Sequence, residues 1–334
     1  MTEQTHRRVT SADVARLAGV SRATVSYVMN DTPAQTISPS TRTRVLDAAA
    51  RLGYSPSAAA RTLRTGRSDV VLCLLPDWPI GPEVGSMLGN LSTALARHGL
   101  TLVVHPGNRE DRPIGEIWKA ITPAAVIAYT DFSPGEIVAM RSAGVALVVA
   151  SLGRGAQPDR RELAVPQQLI GRQQAGHLIA AGHTRLGYAY PDDDRVRIFA
   201  EPRLAGVRAE CRDRQVGGPA TETVALDPEQ AASAVRRWHA AGITAVCAYN
   251  DEVALAVLAG VRLEGRSVPA DLAVIGVDDI PPARLAAPAL TTVTTDQVAV
   301  AAYLSATVVA AINGRPGPAV PTDDLVHLVR RESA

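Results

Sequence analysis

The chain has 334 residues, 46% of them hydrophobic and 20% charged, the balance of an ordinary globular protein with room for more than one domain. Its net charge of +1 conceals a polarity: residues 1–67 hold ten arginines against four acids, which leaves the remainder at −5. Only the head is therefore suited to a polyanion, and no apolar run approaches the roughly 18 residues of a membrane span.

The first nine residues are polar and carry no apolar signal stretch, and Cys73, Cys211 and Cys247 are few and set in apolar segments. They read as reduced core thiols of a cytoplasmic protein, not as a disulfide framework or a metal cluster. Within residues 10–30 two short helices fit. Ser11 is placed to cap the first, with Val14, Leu17 and Ala18 inward, and Ser21 to cap the second, with Val25, Val28 and Met29 inward. Gly19 lies between them, where a tight turn needs a residue free to take positive φ. Ala15, Gly19 and Val25 have the small–glycine–branched spacing of a helix-turn-helix: the alanine lets the helices approach, the glycine turns the chain and the valine fills the crossing. Ser38-Pro39, a cap followed by proline at the first helical position, opens a third helix through Val45, Leu46, Ala49 and Leu52, and Gly53 stops it. Three such helices make a small core able to present one of them to a groove.

Residues 57–64 are small and helix-prone but too short to hold a helix alone in water, and by composition they are a linker. From residue 68 onward apolar strands alternate with helices. Strands are expected at 70–75, 100–104, 124–129, 145–150, 185–190, 221–225, 245–249 and 272–277, with a helix at 83–98 after the first. This alternation argues for two parallel α/β sheets of about five or six strands each, covered on both faces. Ligands of open α/β sheets bind beyond the carboxyl ends of the strands. That rule points to residues 76–80, 129–131, 190–192, 249–251 and Asp278.

The run Val9-Thr10-Ser11-Ala12-Asp13-Val14-Ala15-Arg16-Leu17-Ala18-Gly19-Val20-Ser21, followed by Thr24-Val25-Ser26, Asn30 and Leu52-Gly53-Tyr54-Ser55-Pro56, resembles the head of the lactose/galactose repressor (LacI) family. The resemblance continues through Arg203-Leu204-Ala205-Gly206, Asn250-Asp251, Gly276-Val277-Asp278-Asp279 and Pro288-Ala289-Leu290-Thr291-Thr292-Val293. It implies a small all-α helix-turn-helix DNA-binding domain at residues 1–55, a hinge at 56–67 and an α/β body of the periplasmic-binding-protein type at 68–334. The body would have one subdomain from about 68–166 and 296–323, and a second from about 167–295 and 324–334.

The resemblance also implies a homodimer on palindromic double-stranded operator DNA. Arg22, Ala23 and Tyr27 would read bases in the major groove, while Ser21, Thr24, Ser26, Asn30 and Tyr54 would hold phosphates or the helix frame. Ser57, Arg61, Leu63 and Arg64 would meet the DNA from the hinge, Leu63 as a wedge in the minor groove. In the body cleft Arg203, Asn250, Asp278 and Thr295 would contact a small-molecule effector, with Trp78 as a stacking face and Tyr129 at a strand end. Two departures from the family fall around this cleft. Pro79-Ile80-Gly81-Pro82-Glu83 stands where Asn-Pro-Phe-Phe-like residues are common, and Gln167-Gln168 replaces an Asp-Asn pair.

Enzyme chemistry has little support. Asp192-Asp193-Asp194 reads as a solvated turn, since consecutive acids point in different directions, and no glycine-rich phosphate loop opens a helix after a strand. No metal and no cofactor is expected. The expectation is a repressor whose operator affinity is controlled by a sugar- or nucleoside-like effector. The alternative is a regulator of the same fold controlled by a protein partner.

Overall fold

The computed structural model describes residues 9–30, 36–55, 68–106, 114–129, 132–149, 167–319, 321 and 325–334. The chain divides into two compact units, Met1–Ser68 and Asp69–Ala334. The hinge residues Ser57, Arg61, Leu63 and Arg64 lie outside the described residues.

The first unit contains α1 (Ser11–Ala18), α2 (Arg22–Met29) and α3 (Pro39–Leu52). The cap of α1 is Thr10, one residue earlier than expected: its backbone N and its Oγ1 both donate to Asp13 Oδ2, at 3.0 and 2.7 Å. Ser21 and Ser38 cap α2 and α3 as the sequence suggests, accepting from Thr24 N at 3.1 Å and from Thr41 N at 3.3 Å. Gly19 ends α1 at φ 65°, a left-handed turn that glycine adopts without a Cβ penalty. The core is Val14, Ala15, Ala18, Val25, Val28, Val45, Ala48 and Ala49. Leu17, expected inward, is 44% exposed, and Leu46 of α3 is 45% exposed. Alanines hold the inner positions instead, because small side chains let three short helices close on one another.

The second unit holds two sheets. The first, in the order β2-β1-β3-β4, consists of β1 (Val70–Leu75), β2 (Thr101–Pro106), β3 (Ala125–Ala128) and β4 (Ala146–Val149), all parallel. With it belong α4 (Pro82–Ala96), α5 (Ile114–Ile121) and α6 (Pro134–Ser142). The second sheet has the order β10-β9-β8-β7-β5-β6. Its strands are β5 (Leu186–Pro191), β6 (Ala220–Val224), β7 (Ala245–Ala248), β8 (Ala273–Val277), β9 (Thr291–Thr295) and β10 (Val326–Val329). Its helices are α7 (Gln167–Ala180), α8 (Arg197–Asp213), α9 (Pro228–Ala240) and α10 (Asp251–Leu263). The last helix, α11 (Gln297–Ile312), returns to the first sheet, where Val300, Leu304 and Val308 join Leu91 and Leu95 of α4 in one core.

Two features differ from the expected pair of five- or six-stranded parallel sheets. The first sheet has four strands among the described residues, and β10 runs antiparallel to β9, pairing Val326 with Thr295. The reversal follows from the path. β9 leads out of the second lobe into α11, and β10 brings the chain back from that lobe, so it enters the sheet in the opposite sense. The helices α7 and α8 meet backbone to backbone, since a Cβ on Gly171 would lie 1.9 Å from the Arg203 carbonyl oxygen and one on Gly206 would lie 2.0 Å from that of Gln168. This close crossing aims both helices' first turns at the same space.

Candidate functional site

In the head, α2 buries Val25 and Val28 and turns Arg22, Ala23, Ser26 and Tyr27 to solvent. With 100° per residue these four positions share one face, opposite the valines. The short polar residues around them frame the helix. Ser21 Oγ lies 2.9 Å from Thr24 Oγ1, and Asn30 Nδ2 donates to the Ser26 carbonyl at 2.6 Å. Tyr54 packs, half-buried, against the head core. The surface thus offers a guanidinium, a methyl group and a phenol on a helix whose two ends are held by side chains. Those are the groups that contact base edges in a groove.

In the body, a cavity of about 500 Å³ opens at the carboxyl ends of the strands. Trp78 and Tyr129 reach it from beyond β1 and β3, Asn250 and Asp278 from beyond β7 and β8, Thr295 from the end of β9, and Arg203 from α8. The fold brings all six sequence-named cleft residues together. Arg203 does not project freely. It is 6% exposed, its Nε donates to Gln167 Oε1 at 2.8 Å, its Nη1 donates to the Tyr249 carbonyl at 2.8 Å, and Nη2 lies 3.6 Å from Asp278 Oδ1. Its guanidinium also lies 5.0 Å from the centre of the Tyr249 ring. Asn250 has a second task, accepting from Val253 N at 3.0 Å as the cap of α10.

Asp278 sits at φ 107°, a conformation that disfavours side chains and marks a strained strand end. Burial raises its carboxyl above the usual range, while the Arg203 charge acts to lower it. Asp251 is buried and orients backbone, accepting from Ile280 N at 2.9 Å and from Thr292 Oγ1 at 2.6 Å. Burial pushes its carboxyl up to about 7. Gln174 pins the strand ends from below, its Nε2 donating to the carbonyls of Ala248, Ile275 and Gly276.

The sequence reading missed Phe199, Glu252 and Gln297 as lining residues and placed Glu83 near the cleft only as part of a departure from the family pattern. Phe199 meets Trp78 edge-on with ring centres 4.9 Å apart, and Trp78 in turn lies 5.1 Å from Tyr129. Glu83, in the first turn of α4, lines the cavity with Gln297 of α11 and Glu252 of α10. Burial, then the Asp278 charge, pushes the Glu83 carboxyl up to about 8 against a hydrogen bond from Gln297. Their only signal in the sequence was position just beyond a strand or at a helix start. The triple-aspartate turn is an ion-pair site, Asp193 accepting from Arg195 Nη2 at 2.8 Å. Among the described residues no group of three or more His, Cys, Asp or Glu is arranged to hold a metal ion, and no helix is long and apolar enough to cross a membrane.

Residues 10–57 match the family described as bacterial regulatory proteins, lacI family, and residues 175–334 match the periplasmic binding protein-like domain. The HTH-type transcriptional regulator CelR of Thermobifida fusca is 30% identical, over 98% of this chain and 98% of its own. The HTH-type transcriptional regulator GalR of Escherichia coli (strain K12) is 28% identical, over 97% and 95%. A solved transcriptional regulator CelR–cellobiose complex superposes with a TM-score of 0.67 at 26% identity, covering 98% of this chain and 100% of its own. The lac repressor dimer bound to operator and the anti-inducer ONPF shares the fold, with a TM-score of 0.78 at 23% identity over 98% and 99% of the two chains. A helix-turn-helix head on a two-lobed α/β body, matched along almost its whole length by such regulators, places the chain in the LacI family of bacterial regulatory proteins, DNA-binding regulators of transcription and not enzymes.

Proposed function

We propose that the protein is a homodimeric repressor whose affinity for a palindromic operator is set by a small polyhydroxyl molecule, a sugar or nucleoside-like metabolite, held in the body cleft. In this reading Arg22, Ala23 and Tyr27 read base edges in the major groove. Ser21, Thr24, Ser26, Asn30 and Tyr54 hold the helix frame against phosphates. Ser57, Arg61, Leu63 and Arg64 extend the contact, with Leu63 entering the minor groove as an apolar wedge that bends the duplex.

The observation that carries the reading is the convergence of Trp78 and Tyr129 from one lobe with Arg203, Asn250 and Asp278 from the other on one cavity of ligand size. A ligand touching both lobes favours one arrangement of them, and a change of body state alters operator affinity by linkage. The relative in complex with cellobiose, a polyhydroxyl compound, supports the ligand class.

A melting screen of metabolites followed by operator titrations with Arg203→Ala tests the proposal. The variant is expected to bind operator without effector and to lose its response to the compound the screen selects. A normal response, or loss of DNA binding by the folded variant, overturns the placement. Melting that no metabolite shifts, with operator release only on addition of another protein, favours control by a partner.

A further inference from the structure

The charges lining the cleft are unequal. Among the described residues the cavity is lined by five carboxyl groups and two guanidinium groups. Both guanidinium groups are already engaged. Arg195 holds Asp193 through its Nε and Nη2, at 3.0 and 2.8 Å, and Arg203 donates to Gln167 and the Tyr249 carbonyl and faces Asp278 as an ion pair at 3.6 Å. Of the remaining carboxyl groups, Glu83 feels the Arg203 charge without an ion pair to it, and among the described residues Glu252 and Asp192 form no ion pair with either guanidinium.

Three of the acids bear on one another across the cleft. Glu83 comes from α4 in the first lobe. Glu252 and Asp278 come from the second lobe, and the Glu252 carboxylate lies within 3.8 Å of where a side chain on Gly81 would begin, so it reaches the first lobe's loop. The groups acting on Glu83 are Asp278, Asp251, Arg203 and Gln297, and the two aspartates push its carboxyl up as Arg203 and Gln297 pull it down. Asp278 is raised by the Glu252 charge in the same way. Carboxyl groups thus outnumber guanidinium groups; Glu83, which these surroundings keep protonated near neutral pH, would ionise beside a cation, whereas an anionic ligand would meet Glu252 and Asp192. A cation would relieve these repulsions at once, within a wall that includes Trp78, Tyr129, Phe199 and Tyr249.

We propose that the effector carries a protonated amine on its polar frame, and that Glu83, facing Asp278 and Glu252 across the cleft, is the residue that selects for it. The inference rests on the cleft being the effector site, and it narrows the ligand class from any polyhydroxyl metabolite to amine-bearing ones such as amino sugars or aminocyclitols. Phosphorylated and carboxylated sugars are disfavoured, because both guanidinium groups lining the described cleft already face carboxylates and three further carboxyl groups line it.

The test uses the full chain and matched probes. These are glucosamine against glucose and glucose 6-phosphate, galactosamine against galactose, and tris(hydroxymethyl)aminomethane against its neutral carbon analogue. Melting shifts and binding titrations are read for each. At least one amine is expected to bind about tenfold or more tighter than its neutral parent, with no shift from the phosphate. In Glu83→Gln, which keeps the shape and the Gln297 contact, that advantage is expected to fall to within about twofold. Glu252→Gln is expected to give a smaller loss and carries the test if Glu83→Gln does not fold. The inference is overturned if a neutral or phosphorylated member binds as well as its amine, if no amine binds, or if the preference survives both substitutions. Failure of the underlying reading looks different. A neutral sugar whose binding Arg203→Ala abolishes leaves the cleft as the effector site and removes only the amine, whereas binding that ignores Arg203→Ala removes both.

Discussion

The head presents its candidate base-reading side chains from one eight-residue helix, whereas the cleft gathers its own from the ends of five strands and from helices of both lobes. Arg22, Ala23 and Tyr27 point outward because the i, i+4 geometry of α2 and the burial of Val25 and Val28 leave them nowhere else to go. Arg203 and Asp278 are 75 positions apart in number and meet only because α7 and α8 close on each other and β8 ends beside β7. A site on a single helix fails when that helix fails. A site assembled from strand ends fails when the scaffold shifts, even if every lining residue is intact.

The difference can be broken at the scaffold first. Gly206→Ala places a methyl group 2.0 Å from the Gln168 carbonyl oxygen, so α7 and α8 must separate. Denaturant unfolding of the body is expected to show a loss of about 3 kcal/mol, together with loss of the effector response, although Gly206 does not line the cavity. A response retained at full strength would mean that the cleft does not depend on this crossing.

The head sharpens the contrast through a change with no scaffold cost. Tyr27 is exposed, so Tyr27→Arg is expected to leave head stability as it was and to change the preferred operator bases by about 1–3 kcal/mol per altered contact. Selection from random DNA reads this directly, and an unchanged base preference would remove α2 from the groove.

A smaller effect tests whether α2 is held by its own ends. Ser21→Ala removes the acceptor for Thr24 N and is expected to cost about 1 kcal/mol of head stability in thermal melting, with operator binding weakened for all sequences alike. No loss would mean that the core valines alone orient α2.

The smallest effect is a pH dependence confined to the body. Glu83 and Asp251 have carboxyl groups raised by burial to about 8 and about 7, so the folded chain holds protons there that the unfolded chain releases. Their contribution to stability is complete below the ordinary carboxylate range and is lost as pH rises to about 8. The melting temperature of the body is expected to fall between pH 6 and pH 8, and Glu83→Gln to flatten part of that slope. A rising melting temperature over this window would contradict the burial of these two groups.

Much of the head was legible in the sequence because its determinants are local. Ser21 and Ser38 cap helices, Gly19 takes a left-handed turn, and Pro39 opens α3, all through contacts within four residues. The alternation of strand and helix in the body was legible for a related reason, since continuous apolar runs cannot remain at the surface. Leu17 was misread as inward because apolarity predicts burial only on average, and three small helices have too little interior to take it.

What the sequence determined by itself is therefore most of the elements up to β8, the caps of α2 and α3, and the strand ends at which a ligand site had to open. Tertiary structure alone decided which residues share that opening. It engaged Arg203 with Gln167, Tyr249 and Asp278, brought Phe199 onto Trp78, and set Glu83 of one lobe against the acids of the other. The physical reason is range. A cap or a turn is settled by hydrogen bonds a few residues apart, whereas the charge balance of a cleft is a sum over side chains from both lobes, and it acquires a value only once the lobes have met.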